Sequence, residues 1–134
     1  MDLDKKNTIV EAGIRKKSFE LYFNGGSIWC EHLDSMGNYK EKVIEKFLAD
    51  CKTFSKPSAS SFMIINLDET EIDMDIVSCI TTAIIDSKKE YRRIAFVGVK
   101  KRKERSAFRD LQIKIGCVVD FFADYEKAKQ WVLS

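Results

Sequence analysis

The chain has 134 residues, of which 45% are apolar and 33% charged, and its formal net charge is +2. This suits one globular domain with one core and argues against a chain disordered throughout. No apolar run approaches the roughly 20 residues of a membrane-spanning helix, and the charged start from Met1 to Lys6 argues against a secretory signal.

Residues 1–17 mix charges with little pattern and read as a leader, with a short strand near Thr8-Ile9-Val10. A single domain then runs over 18–134. Phe19–Phe23 and Ser27–His32 flank Asn24-Gly25-Gly26, and two strand-like runs around Asn-Gly predict a hairpin, because both turn residues tolerate positive φ. Asp34 to Lys40 reads as a turn. Val43, Ile44, Phe47, Leu48 and Cys51 then recur at helical spacing, predicting an amphipathic helix over Tyr39–Phe54. A small polar linker around Pro57, the only proline, follows it.

The second half alternates. Phe62–Leu67, Ile94–Val99 and Cys117–Phe122 are continuous apolar runs of strand length. Between them lie helical patterns over about Asp75–Glu90 and Arg105–Ile115, the second stopped by Gly116. Asp124 is placed to cap a closing helix that carries Tyr125, Ala128, Trp131 and Val132. This alternation predicts an α/β fold with a mixed, mainly parallel sheet of four or five strands and four helices. The three apolar runs are expected to be inner strands, covered on both faces, with the hairpin as an antiparallel edge.

Charge is unevenly spread. Asn66–Asp75 holds five acids and no base, whereas Lys88–Lys114 holds eleven bases and three acids. In a parallel sheet both the acidic loop after Leu67 and the basic loop after Val99 belong to the carboxyl edge, where ligand sites form. Lys100, Lys101, Arg102 and Lys103 are therefore candidates to neutralise Asp68, Asp73 and Asp75. Two separate solvated loops are the plain alternative.

No catalytic set stands out. His32 is the only histidine and reads as structural. Cys30, Cys51, Cys79 and Cys117 are scattered through apolar segments without metal-ligand spacing, so they read as free thiols in a reduced, cytoplasmic compartment. Gly98 stands alone, without a phosphate-cradling glycine motif. Asn66-Leu67-Asp68-Glu69-Thr70 is similar to the D-x-D-x-T signature of haloacid-dehalogenase phosphatases, but Asn66 stands where the nucleophilic aspartate belongs. An amide cannot form the phospho-aspartate. Asp68, Asp73 and Asp75 suit magnesium as oxygen donors, yet their spacing alone builds no octahedral cage. The basic run Lys100–Arg105 suits phosphate contacts, but the nearly balanced total charge and the lack of interleaved aromatics argue against nucleic acid.

The element order, with Arg93-Ile94-Ala95-Phe96-Val97-Gly98 and the closing stretch from Val119 to Trp131, resembles the STAS domain of anti-sigma-factor antagonists and its SpoIIAA-like branch. The resemblance runs from about Ser18 to Leu133. It implies a non-enzymatic regulatory module without cofactor, which binds a protein partner such as an anti-sigma-factor-like kinase. It also implies a D-S-S-G or D-S-T-G turn whose second hydroxyl is phosphorylated. Here Asp73-Met74-Asp75-Ile76 stands at that place, so Asp75 replaces the phosphoacceptor and the serine phospho-switch is lost. The expected partner-binding residues are Asp68, Asp73, Asp75, Lys100, Lys101 and Arg102. A small apolar-ligand carrier or sensor is the alternative, and a magnesium-dependent phosphoryl-transfer enzyme comes third.

Overall fold

A computed structural model describes residues 16–134. The expected strand at Thr8-Ile9-Val10 lies outside the described residues. The hairpin forms from β1 (Phe19–Phe23) and β2 (Gly26–His32), and Asn24 and Gly25 at its tip both take positive φ, 50° and 79°. Then follow α1 (Lys40–Phe54), β3 (Phe62–Asn66), α2 (Met74–Asp86), β4 (Arg93–Val97), α3 (Arg102–Ile115), β5 (Val118–Phe122) and α4 (Tyr125–Val132). The sheet has the order β1-β2-β3-β4-β5, with β1 antiparallel to β2 and each later pair parallel. The fold class is thus α/β, with a five-stranded, mostly parallel sheet and four helices among the described residues.

Alternation along each strand supplies two cores. Trp29, Met63, Ile65, Ile94 and Phe96 face a large apolar layer completed by Val43 and Phe47 of α1, Ile76 and Ile80 of α2, and Phe108 and Leu111 of α3. Ile28, Cys30, Ile64, Ala95 and Val97 face the other way, onto Ala128 and Val132 of α4. The helix ends follow their residue types. Asp73 and Asp124 cap α2 and α4 by accepting from the Ile76 and Glu126 amides, and Gly116 closes α3 in the left-handed region at φ 73°.

Three expectations need correction. The strand over Val118–Phe122 is an edge, paired only with β4, and Val118 is half exposed. Its apolar character is explained by side chains: arginines from α3 lie over Phe121, and the Trp131 ring packs against Phe122 at 5.5 Å. The helix expected to reach Glu90 stops at Asp86, because Lys88 takes φ 55° and Lys89 turns away. The Lys89 ammonium donates to the carbonyls of Phe54, Lys56 and Ala59, which end α1 and begin the linker. Finally, α3 starts at Arg102, earlier than the expected Arg105.

Gly98 fixes how closely two loops approach. Its φ is 85°, and a Cβ there would lie 2.6 Å from the Asp68 Cα and 2.7 Å from the Asp68 amide nitrogen. Gly25 has a similar φ of 79° but open space around it. Gly25→Ala is therefore expected to cost about 1 kcal/mol, from backbone strain alone. Gly98→Ala is expected to cost about 2–4 kcal/mol, since backbone must also move. Urea denaturation of both variants checks the difference, and equal losses would show that the Gly98–Asp68 approach is not a constraint.

Candidate functional site

The carboxyl edge is built outward from Asn66. Its side-chain oxygen accepts from the Asp68 amide at 3.0 Å, turning the chain out of β3. The loop after β2 runs beside it and extends the parallel pairing. Ser35 and Gly37 amides donate to the Asp68 and Glu69 carbonyls, and the Glu71 amide donates to Gly37. The Thr70 hydroxyl donates to the Leu33 carbonyl and accepts from the Met36 amide. The acidic loop is thereby stitched on one side to the β2 loop and pressed on the other against Gly98.

Between the acidic and basic loops lies an open cleft of about 260 Å³, lined by Glu69, Thr70, Glu71, Ile72, Gly98, Lys100, Lys101 and Glu104. The two loops are neighbours, as the strand order demands. The predicted residues do not pair as expected, however. Asp73 and Asp75 are bridged by Lys40 from the first residue of α1, which lies 3.0 Å from Asp73 and in contact with Asp75. Among the described residues no ion pair joins Lys100, Lys101 or Arg102 to Asp68, Asp73 or Asp75. Lys100 and Lys101 border the cleft, whereas Arg102 lines a separate one with Lys100, Arg105, Ser106 and Arg109. Asp73 is held below the usual carboxylate range, first by the Ile76 amide and then by Lys40. The Lys40 ammonium is correspondingly raised by Asp75 and Asp73. Among the described residues, no three His, Cys, Asp or Glu side chains are grouped to hold a metal ion.

Glu104 was not foreseen. It is 5% exposed, and burial pushes its carboxyl up, with Lys101 opposing and Asp73 reinforcing the shift. Its charged neighbours disguise it, but its spacing does not. Positions 104, 108, 111 and 115 form one helical stripe, so the acid occupies the first place of an apolar face.

A second polar cluster lies under β2. Glu31 is fully buried and accepts from the Trp29 indole at 3.0 Å. Lys46 donates to Ser18, to the His32 carbonyl and to Asp50. Burial, then the neighbouring Asp50 carboxylate, push the Glu31 carboxyl up to about 9. Burial also pushes Asp50 upward, but the neighbouring Glu31 carboxyl, the Ser18 hydroxyl and the charge of Lys46 outweigh it and hold it below its ordinary value. Glu31 therefore keeps a proton beside Asp50, and its Oε2 has no hydrogen-bond partner among the described residues. On the opposite face His32 meets Asp34 at 3.1 Å, and the Tyr125 hydroxyl donates to Cys30. Burial pushes that thiol up, so it is protonated at neutral pH and is no activated nucleophile.

No family model matches the chain, and no curated protein or solved structure matches it significantly. The chemistry of the edge is therefore read from its own residues.

The raised Glu31 carboxyl has a definite sign. The folded protein keeps a proton that the unfolded chain releases above about pH 4.3, so Glu31 lowers stability progressively as pH rises from there through its folded pKa. Glu31→Gln keeps an acceptor for the Trp29 indole without the proton uptake. Its expected gain is about 1–3 kcal/mol at about pH 8 and nearly nothing at about pH 4. Urea titrations at the two pH values measure it, and a pH-independent gain would contradict a proton retained on Glu31.

Proposed function

We propose that this chain is a non-enzymatic regulatory module of the STAS kind, which binds a protein partner across the carboxyl-edge loops and the adjoining start of α2. The observation that carries this reading is the unbroken strand order. An open α/β sheet forms its ligand crevice where the strand order reverses. From β2 to β5 every step goes the same way, so no crevice arises from an order reversal, and the edge offers a loop surface with the open cleft between the acidic and basic loops. On this surface an acidic and a basic segment lie side by side. Beside them runs a groove lined by Met74, Val77, Ser78, Ala107 and Leu111 among others. Apolar contacts rimmed by both signs of charge suit a protein partner, which they would also orient.

Asp75 fits such a surface. It is the second residue of α2 and exposed, while the capping bond is made by Asp73. It offers no hydroxyl for phosphorylation, and Lys40 balances its charge. An anti-sigma-factor-like kinase or another regulator would thus meet a surface without a serine switch.

Asp75→Arg places a cation beside Lys40 and leaves the Asp73 cap intact. The partner is first identified by cross-linked capture from the host, and each variant is then titrated with the purified partner. Asp75→Arg is expected to weaken binding about tenfold or more, with the melting temperature shifted by no more than about 2 °C. Asp73→Ala is expected to lose about 1 kcal/mol of stability through its cap. Undiminished binding by folded Asp75→Arg would remove the acidic turn from the interface.

A further inference from the structure

Beside the start of α3 an open cleft of about 410 Å³ is lined by Lys100, Arg102, Arg105, Ser106 and Arg109. It presents four cations and a hydroxyl, with no carboxylate in its lining. Elsewhere Lys16, Lys40, Lys42, Lys46 and Lys129 each meet an acid within 4 Å. Among the described residues none of the four cations in this cleft does so.

Two of the guanidiniums are already positioned. The Arg105 Nε donates to the Val99 carbonyl at 2.7 Å, and its guanidinium lies 5.2 Å from the Phe121 ring centre. Arg109 lies over the same ring at 4.9 Å. A guanidinium resting on a ring by its face keeps edge N–H groups available, and their fork matches the oxygens of a phosphate. Arg102, Arg105, Ser106 and Arg109 are spaced three or four apart along one side of α3. Like charges at that spacing repel and weaken a helix. A bound anion would relieve that repulsion, and the helix start adds positive potential to the same place.

We propose that this cleft binds a phosphate-bearing ligand. Arg105 and Arg109 grip the phosphate oxygens, Lys100 and Arg102 add charge, and Ser106 donates a hydroxyl hydrogen bond. The proposal does not depend on the partner-binding reading, although Lys100 and Arg102 belong to both surfaces. Single-stranded nucleic acid is the weaker fit, because such grooves offer open aromatic faces to the bases. Here the Phe121 ring is already in contact with two guanidiniums and packs on Phe96. The shared chemistry is a phosphoryl group, carried either by a soluble molecule or by a lipid headgroup.

The test titrates the full chain with pyrophosphate by calorimetry at about 0.15 M salt, where long-range attraction is largely screened. In parallel, flotation uses phosphatidylcholine vesicles with about 5% phosphatidylinositol bisphosphate. Lys100→Ala/Arg102→Ala leaves the packing of α3 on Phe121 untouched, and Lys52→Ala removes a cation on α1, outside the cleft. Saturable pyrophosphate binding with Kd below about 1 mM is expected. The double variant should weaken it about tenfold, and Lys52→Ala less than about twofold. Vesicle capture that pyrophosphate displaces would identify a headgroup source, and pyrophosphate binding without vesicle capture a soluble one. The proposal is overturned if neither probe binds saturably, or if Lys52→Ala loses as much as the double variant. It is also overturned if an oligonucleotide of about 20 residues outcompetes pyrophosphate at equal phosphate concentration, which would make the face a nucleic-acid surface.

Discussion

The hand of the strand crossovers governs this molecule. β2, β3, β4 and β5 follow one another across the sheet in one direction, each connection carrying a helix. Parallel crossovers take the right-handed form, so successive steps in one direction send α1, α2 and α3 to the same face. That face receives the large core. The other is left to α4, which packs on Ile64, Ala95 and Val97. The same winding removes any reversal of strand order. It aligns the loops after β2, β3 and β4 into a continuous edge, with Gly98 allowing the last two to touch.

The uneven coverage also explains where polar groups are buried. Near the end of β2 the strand must turn toward the edge while still packed between layers, and Glu31, His32 and Asp34 are all buried there. A buried charge is tolerated only with partners or by losing its charge. Both solutions are used. Asp34 meets His32 and Lys16, while Glu31 keeps its proton beside Asp50. Lys46 ties Ser18 at the start of the hairpin to α1 and to the backbone of β2. Hairpin and first helix thus share a network whose members depend on one another.

Periodicity made the elements readable. The hairpin, the three apolar runs and the four helices all follow from spacing and caps, and their parallel order follows from alternation. What spacing could not reveal was pairing across distance in the chain. Lys40 belongs to Asp73 and Asp75, more than thirty positions away, because α1 and α2 begin near each other. Lys89 ends a helix it does not belong to. The apolar run of β5 suggested an inner strand, since nothing local to it foretells that Arg105, Arg109 and Trp131 will cover its aromatics. Glu104 shows the converse failure. Its charged neighbours implied a solvated face, although its helical stripe implied burial.

The candidate residues divide by the loops that carry them. The acidic loop is held by many backbone bonds, and its exposed aspartates already have Lys40, so its electrostatic potential is partly spent within the molecule. The basic segment is different. Glu104, the acid inside the run, is buried and lines the cleft toward the acidic loop, and it is absent from the lining of the cleft that holds Arg102, Arg105 and Arg109. The inner stripe of α3 consumes the acid, and the outer side keeps Arg102, Arg105 and Arg109. A helix that must pack Phe108 and Leu111 inward while shielding Phe121 beside it has little room for an acid on that flank. Covering an edge-strand aromatic with guanidiniums shields its ring and at the same time concentrates positive charge in one cleft. The cover over the edge-strand aromatic and the capacity to attract an anion therefore arise from the same two arginines.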